Sequence, residues 1–176
     1  LGDVYKRQVV DVRPTTGDVL FKTNLVDQVK FMYAWIGSNY TKVERTATWD
    51  YLQAFVDEAR KQGLRIHAAI NTFIGGNQID GGTGLLYRDQ SKAEWATQMN
   101  MQVGITSVMN TSESTKFFNP AHPEVQTFLC DLLKDLAGYD LDGIFLDRGR
   151  FLNLQADFSE ESRKQFEEYM LSLIHI

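Results

Sequence analysis

Three short segments of the chain are rich in aliphatic residues and have the length of strands: residues 9–13, 64–71 and 143–147. Longer segments between them carry apolar residues every three or four positions, as on one face of a helix. This pattern is clearest in residues 48–63, which begin with a threonine cap, and in residues 123–138, which begin with a proline. Strands that alternate with helices predict an α/β protein with a parallel sheet.

The remaining segments have weaker patterns. Residues 25–29 favour a short helix, and residues 35–40 are typical of a loop. Residues 91–101 begin with Ser and Glu at the spacing of a capping box and predict a helix. Residues 102–118 favour a short hairpin, and a last helix is predicted over residues 159–169.

Polar residues mark one face of each predicted strand. Because side chains alternate between the two faces, one face of each strand is aliphatic and suits covering helices. The other face ends in a polar side chain at the carboxyl end of the strand, which is Arg13, Asn71 or Asp147. This favours a (β/α)₈ barrel, with helices outside and a site at the carboxyl ends of the strands. An open doubly wound sheet also binds ligands there, but both of its faces are apolar, whereas this second face carries Asp11 and His67.

Each of these polar residues has a structural as well as a functional interpretation. Asp11 and His67 can form a buried pair, or His67 can form a hydrogen bond to the backbone. Either structural role is favoured over the binding of a metal by a single histidine. Arg13 and Asn71 suit binding and structural roles about equally. Asp147 favours function, because it lies at a strand tip, and an ion pair with a following arginine is its structural alternative.

Composition excludes several classes of protein. With 176 residues and 43% hydrophobic residues, the chain can form one domain with a core and is not a disordered chain. The 18 basic and 23 acidic residues give a net charge of −5 without a basic cluster, so no nucleic-acid partner is expected. No segment has the length and apolarity of a membrane span, and no signal peptide opens the chain.

We expect neither a cofactor nor a metal. The glycine-rich segment 75–84 lacks the following helix and the Lys-Ser/Thr of a phosphate-binding loop, and we interpret its glycines as loop flexibility. No second His or Cys lies at the spacing of metal ligands. Cys130 is the single cysteine, so the chain has no internal disulfide.

The two ends of the chain resemble translated sequencing-adaptor sequence, over residues 2–8 and 171–176. We therefore expect residues 1–8 and 171–176 to be non-native and exclude them from the fold. The predicted domain is then an incomplete barrel over residues 9–170, with the gene continuing on both sides. The alternative is a frayed N-terminus and a short C-terminal strand.

Three segments resemble the glycosyl hydrolase-like family ten domain. Residues 9–20, VVDVRPTTGDVL, resemble the family's "VRP…GDAL", and residues 65–73, RIHAAINTF, resemble its "VHAWFNPY" strand. Residues 118–147, which end in YDLDGIFLD, resemble its "YDVDGIHFD" segment and are the most specific. The resemblance implies roughly the first half of a (β/α)₈ barrel with parallel strands, distantly similar to the α-amylase and α-galactosidase groups.

The resemblance also implies roles for individual residues. Asp147 matches the strand-tip Asp and is the candidate nucleophile, and Arg150 matches an arginine that would hold substrate hydroxyls or orient Asp147. Arg148 replaces a frequent acidic or aromatic residue, and either arginine would favour the ionised carboxylate. Among aromatic residues in loops after strands, Trp35 and Phe73 are best placed to stack on a sugar, and Phe73 is favoured. The residues expected to bind substrate are Arg13, Asn71, Arg148, Arg150, His67 and Phe73.

The implied activity is hydrolysis of O-glycosidic bonds in a poly- or oligosaccharide. Such hydrolysis needs two carboxyl groups, one of which protonates the leaving oxygen. Asp11 is expected to lie too deep for this role, and Glu113 and Asp157 lie in loops without a supporting motif. The acid is therefore expected on a later strand, outside these residues.

Two alternatives to hydrolysis stay open. The first is a carbohydrate-binding barrel that is not catalytic, and the second is another barrel enzyme such as a deacetylase or lyase. The second would need a metal or a pair of bases, which the sequence does not offer. The family resemblance implies a secreted, periplasmic or surface-anchored protein.

Overall fold

The computed structural model describes residues 6–174, which form mixed α/β structure. The α-helices within these residues are α1 (Tyr51–Lys61), α2 (Leu85–Arg88), α3 (Pro123–Ala137) and α4 (Glu160–Ile174). The nine strands are β1 (Arg7–Arg13), β2 (Phe31–Ile36), β3 (Asn39–Glu44), β4 (Arg65–Asn71), β5 (Ile74–Asn77), β6 (Gln98–Met101), β7 (Gly104–Ser107), β8 (Thr115–Phe117) and β9 (Gly143–Asp147).

A parallel sheet of three strands is the centre of the fold, in the order β1-β4-β9. Along this sheet Val9 pairs with His67 and His67 with Gly143, while Asn71 pairs with Asp147. These are the three strands predicted from the aliphatic segments, and their predicted parallel pairing is confirmed. Strand β1 begins two residues earlier than predicted, and β9 has the predicted bounds.

One face of this sheet packs on helices and forms the main core. The buried residues that β1 and β4 contribute are Val10, Val12, Ile66, Ala68 and Ile70. The helix residues in the same core are Leu52, Val56 and Ala59 of α1 and Val125, Phe128, Leu129, Leu132 and Leu136 of α3. Because burial of apolar surface is the main favourable term in folding, this face holds the sheet and helices together.

Both long predicted helices between the strands are confirmed, but the first has a different cap. The side chain of Asp50, not Thr48, accepts a hydrogen bond from the backbone N–H of Gln53 at 3.1 Å. The second carboxylate oxygen of Asp50 accepts from the Tyr139 hydroxyl at 2.6 Å. A carboxylate has two oxygens and can accept one bond with each, whereas Thr48 has a single hydroxyl oxygen.

A β-hairpin replaces the loop predicted near residues 35–40. Strands β2 and β3 pair antiparallel from Phe31↔Glu44 to Ile36↔Asn39, which leaves a two-residue turn. Gly37 opens that turn with a φ of 63°, a conformation that glycine adopts without steric cost. The aromatic residues at alternate positions of β2 were the strand signal that the loop interpretation missed.

The helix predicted over residues 91–101 is wrong. A short 3₁₀ helix, Gln90–Trp95, ends in extended backbone at Ala96, and β6 follows. Asp89 rather than Ser91 caps it, because the Asp89 side chain accepts from the Ser91 N–H at 3.0 Å. The hairpin predicted within residues 102–118 is also wrong, because β7 pairs antiparallel with β6 before residue 102, and β8 pairs with β5.

Glycines in the segment after β4 allow close packing rather than flexibility. A Cβ at Gly75 would lie 2.4 Å from Leu86, and one at Gly76 would lie 2.3 Å from the Thr83 carbonyl oxygen. At Gly84 it would lie 2.5 Å from the Cα of Gly76. These separations are too short for any side chain, so the segment is a compact layer beside β5 and β8, which pair antiparallel.

The predicted non-native ends are partly regular structure. Strand β1 begins at Arg7, and α4 continues to Ile174. Residues 1–5 and 175–176 lie outside the described residues. Within the described part of the chain, β1 and β9 are the outer strands of the parallel sheet.

Gly143→Ala should destabilise the fold by about 1–3 kcal/mol, because the new methyl group has no space. A Cβ at this position would lie 2.7 Å from Cδ2 of His67 on the neighbouring strand. The matched control is Gly149→Ala, where the nearest atom would be 3.5 Å away. Urea unfolding of both variants measures the difference, and equal stability of the two would contradict the packing of His67 on Gly143.

Candidate functional site

The carboxyl ends of β1, β4 and β9 lie at one edge of the parallel sheet. Asn71 and Asp147 are register partners there, and Nδ2 of Asn71 donates a hydrogen bond to the carbonyl oxygen of Arg13 at 2.8 Å. The structure therefore brings together the three polar strand tips that the sequence predicts. Their side chains, however, have different surroundings.

Arg13 is fully buried beneath this edge, with 0% of its surface exposed. Its guanidinium donates to the carbonyl oxygens of Asn71, Thr72 and Ile74, so it holds the backbone that leaves β4. Burial lowers the pKa of Arg13 to about 10, against the opposing effects of Asp18 and Asp11. The substrate-binding role predicted for Arg13 is corrected to a structural one, because its side chain has no surface to offer a sugar.

An irregularity in β1 explains why Arg13 is buried. The register with β4 shifts between Asp11 and Arg13, so the simple alternation of faces stops there. Val12 and Arg13 are both 0% exposed, whereas strict alternation would put them on opposite faces. The prediction that Asp11 and Arg13 share a face is therefore wrong.

Asp147 is exposed at the tip of β9. Its Oδ1 accepts from the backbone N–H of Arg148 at 2.7 Å, and its carbonyl oxygen accepts from the N–H of Thr72, also at 2.7 Å. Arg148 has a φ of 48°, which is uncommon for a residue other than glycine. This sharp turn after the strand fixes the carboxylate of Asp147 at the sheet edge.

Asp11 is the second carboxyl group of this edge. Its side chain accepts from the backbone N–H of Arg13 at 3.1 Å and from Nδ2 of Asn71 at 3.5 Å. Partial burial of its carboxylate raises the pKa of Asp11, and the negative charge of Asp147 raises it further, against the hydrogen bonds from Arg13 and Asn71. The expectation that Asp11 lies too deep is wrong, because the residue is exposed.

The two arginines after β9 do not pair with Asp147. Nη1 of Arg150 donates to the carbonyl oxygens of Phe151 at 3.1 Å and Leu152 at 2.9 Å. No hydrogen bond or ion pair of the Arg148 guanidinium occurs within residues 6–174. Within the described residues, Asp147 therefore forms no ion pair with either arginine.

His67 lies away from the strand tips. It is four residues before Asn71 on β4, a distance of roughly 13 Å along a strand at 3.3 Å per residue. Its ring packs over Gly143, and its buried Nδ1 has no hydrogen-bond partner among the described residues. The structure therefore shows neither the pair with Asp11 nor the backbone bond that the sequence suggested.

Phe73 does not continue the face of β4. The strand ends at Asn71, and β5 begins at Ile74 in a different sheet. Phe73 is half-buried against the core, and its carbonyl oxygen accepts from the Phe118 N–H at 2.8 Å. The prediction that Phe73 stacks on a sugar is therefore corrected, because it assumed that β4 continues past Asn71.

The loop residue Asp157 is part of a polar network. Its Oδ1 accepts from the Thr97 hydroxyl at 2.8 Å and from the Gln98 N–H at 2.6 Å. Its Oδ2 accepts from the Ser162 hydroxyl at 2.7 Å. These bonds connect the segment before α4 to β6 and give Asp157 a structural role.

Comparison with known proteins identifies the family of this fold and site. The chain belongs to the Glycosyl hydrolase-like 10 family, which matches residues 9–170, and the family predicted from sequence is confirmed. It is 29% identical over 168 residues to an S-layer-related protein of Niallia circulans, a match that covers 92% of this chain and 10% of that protein.

A solved glycosidase has a similar fold. Alpha-L-fucosidase isoenzyme 2 from Paenibacillus thiaminolyticus matches with a TM-score of 0.58 at 16% sequence identity. The match covers 94% of this chain and 21% of the fucosidase, so the chain spans a small part of both relatives. At this identity the likeness concerns the fold alone.

The described residues give no metal cluster and no membrane span. Within residues 6–174, no three His, Cys, Asp or Glu side chains are arranged to hold a metal ion. Across the same residues, every helix is too short or too polar to cross a bilayer.

Arg13→Lys should lower the free energy of unfolding by about 2–5 kcal/mol, because one ammonium cannot replace a fork that serves three carbonyl groups. The matched control is Arg150→Lys, whose exposed guanidinium also bonds backbone carbonyls. We expect the control to stay within about 0.5 kcal/mol of the parent. Urea unfolding compares them, and an unchanged Arg13→Lys protein would contradict the structural role.

Asp147→Asn should lower the pKa of Asp11, because the substitution removes a like charge. A raised pKa means that the folded protein holds the Asp11 proton more tightly than the unfolded chain. The free energy of unfolding therefore falls as the pH rises from the ordinary pKa of an Asp side chain through the raised pKa of Asp11. Asp147→Asn should narrow the pH range over which this loss occurs. Carboxyl NMR titration measures the shift, with the exposed Asp57→Asn of α1 as the control that leaves Asp11 unchanged.

Proposed function

We propose that this chain is part of a glycoside hydrolase in which Asp147 is the catalytic carboxylate. The observation that carries the proposal is an exposed carboxylate at the end of a parallel strand, in a chain of a hydrolase-like family. The fold likeness to a fucosidase supports the same class of protein. We further propose that β1, β4 and β9 are consecutive strands of a (β/α)₈ barrel, whose sites lie at this end.

Asp147 has the position that a nucleophile needs. In the proposed retaining reaction, a carboxylate oxygen of Asp147 bonds to the anomeric carbon while the bond to the leaving oxygen breaks. The leaving oxygen takes a proton from an acid, and water then cleaves the glycosyl–Asp147 ester and restores the carboxylate. In this proposal the acid lies on a later strand, as the family resemblance implies.

The neighbours of Asp147 have separate proposed roles. Asn71 is 5% exposed, and it positions the strand tips through its bonds to Arg13 and Asp11. Arg148 offers a guanidinium that suits the hydroxyl groups of a sugar, since its donors form a planar fork. Asp11 accepts hydrogen bonds from the Arg13 N–H and from Nδ2 of Asn71, so it helps to hold the strand tips in place.

Asp147→Asn should reduce turnover by about 1,000-fold or more, the order of loss expected for one essential catalytic group. The assay follows 4-nitrophenol release from a panel of 4-nitrophenyl glycosides by the natural chain that carries residues 9–170. Glu113→Gln replaces an exposed loop carboxylate and is the matched control, expected to keep parent activity. Calorimetry should show that Asp147→Asn still binds the same glycosides.

Unchanged turnover in Asp147→Asn would reject the catalytic assignment. Loss of binding together with turnover, with normal unfolding, would make Asp147 a binding residue instead. Each outcome is separate from a folding defect, because the exposed side chain of Asp147 is expected to contribute little to stability.

A carbohydrate-binding domain without catalysis is the second candidate function. This function is favoured by the match to a protein named as S-layer-related, of which the matched part is 10%. A domain of this kind would attach a long surface protein to a glycan and would act outside the cell. Glycan binding by the parent protein without turnover of any glycoside in the panel would support this function over hydrolysis.

A further inference from the structure

Aromatic residues line one face of the hairpin formed by β2 and β3. Cross-strand partners lie on the same face of a hairpin, and here Trp35 pairs with Tyr40 and Tyr33 with Lys42. Phe31 lies on that face as well, because it is two positions before Tyr33. We call this face the aromatic face of the hairpin, formed by Phe31, Tyr33, Trp35, Tyr40, Lys42 and Glu44.

The rings on the aromatic face contact one another, and those of Trp35 and Tyr40 remain open to solvent. The centroids of Tyr33 and Tyr40 are 5.4 Å apart with an interplanar angle of 23°, and those of Trp35 and Tyr40 are 5.3 Å apart at 47°. Trp35 is nevertheless 70% exposed and Tyr40 60% exposed. Because large rings are usually covered, two adjacent exposed rings mark a candidate surface for a ligand.

Hydrogen bonds fix the aromatic face to the segment that follows β5. The Tyr33 hydroxyl donates to Oδ1 of Asp80 at 2.8 Å, and the Lys42 ammonium lies 2.8 Å from Oδ2 of the same residue. Lys42 also lies 3.4 Å from Glu44 and 4.2 Å from the Phe31 ring centroid. The rings are therefore held in place before a ligand arrives, which lowers the entropic cost of binding.

The chain topology puts the aromatic face at the same end of the sheet as Asp147. The hairpin lies in the connection that leaves the carboxyl end of β1, and Asp80 lies in the connection that leaves the carboxyl end of β4. Asp147 is at the carboxyl end of β9, and the three strands are parallel. In folds of this kind, connections at that end surround the ligand site.

We propose that Trp35 and Tyr40 form a platform that stacks on a pyranose ring of a neutral oligosaccharide whose chain extends from the Asp147 site. This inference rests on the proposed function and adds a separate subsite to it. A pyranose has C–H faces that suit an aromatic ring and hydroxyl groups that suit the polar side chains around it.

Charge and composition favour a neutral glycan over other occupants. Lys42 is paired with both Asp80 and Glu44, so the face has no unpaired cation for an anionic ligand. A protein partner would be expected to meet a contiguous apolar centre depleted of charge, whereas Lys42 and Glu44 interrupt this face. Tyrosine hydroxyls and these charged groups instead provide donors and acceptors beside the rings, as sugar hydroxyls require.

The test compares Trp35→Ala with Trp49→Ala in the natural chain that carries residues 9–170. Trp49 is a matched control, because it is 55% exposed and its ring stacks on Tyr51 at 6.0 Å beside α1. The probes are cellohexaose, xylohexaose, maltohexaose and chitohexaose, with binding measured by calorimetry. We expect Trp35→Ala and Tyr40→Ala to weaken binding of at least one glycan by about tenfold, which is the worth of one well-placed stacking contact. Trp35→Phe should recover part of that loss, and Trp49→Ala should bind as the parent does.

The proposed function and this inference fail in different ways. Trp35→Ala should raise KM for the long glycan without changing the hydrolysis of a 4-nitrophenyl monosaccharide, which cannot reach a second subsite. Equal binding by Trp35→Ala and Trp49→Ala, or no binding of any probe by the parent, would overturn the platform whatever Asp147→Asn shows. A second outcome would also overturn the platform. If Trp35→Ala sediments differently from the parent protein but binds glycans equally well, the aromatic face joins two copies of the chain.

Discussion

The buried guanidinium of Arg13 is the interaction on which the sheet edge depends. It donates to three carbonyl groups of the chain that leaves β4, and these groups are buried where water cannot serve them. A buried carbonyl group without a hydrogen-bond donor costs about 1–3 kcal/mol. The Arg13 side chain supplies the donors that the backbone after β4 does not provide. The shift of register in β1 is what turns Arg13 inward to do this.

That buried cation also shapes the electrostatics of the edge above it. The carbonyl of Arg13 accepts from Asn71, and Asn71 reaches Asp11 in turn, so the strand tips form one hydrogen-bonded group. Asp11 and Asp147 share this small region, and their mutual repulsion adds to the raised pKa of Asp11. The raised pKa of Asp11 therefore follows from the place where the strand tips meet.

The segments beyond the strand tips are structured rather than loose. The β2–β3 hairpin follows β1, and the β5–β8 and β6–β7 pairs lie between β4 and α3. Close packing at Gly75, Gly76 and Gly84 makes the connection after β4 compact. The side chain of Asp157 holds the connection after β9 through bonds from Thr97, Gln98, Ser159 and Ser162. Rigid connections at the carboxyl end of a sheet hold functional groups in place. The helices that pack on one face of the sheet form the core that stabilises the fold.

The sequence alone determined the parallel sheet, the long helices and the family. These are set by local patterns, because aliphatic strand segments and helical periodicity such as that of residues 123–138 depend on near neighbours. It also determined that Arg13, Asn71 and Asp147 would meet, since parallel strands bring their carboxyl ends to one edge.

Only the tertiary structure decided what each of those side chains does. A one-residue shift in β1 buried Arg13, and a turn after Asn71 packed Phe73 against the core. Partial burial, together with the charge of Asp147, raised the pKa of Asp11. Alternate aromatic residues mark β2 as a strand, but the hairpin that displays Trp35 depended on the pairing of β2 with β3. Each of these outcomes comes from contacts between residues distant in the chain, and periodicity carries no information about such contacts.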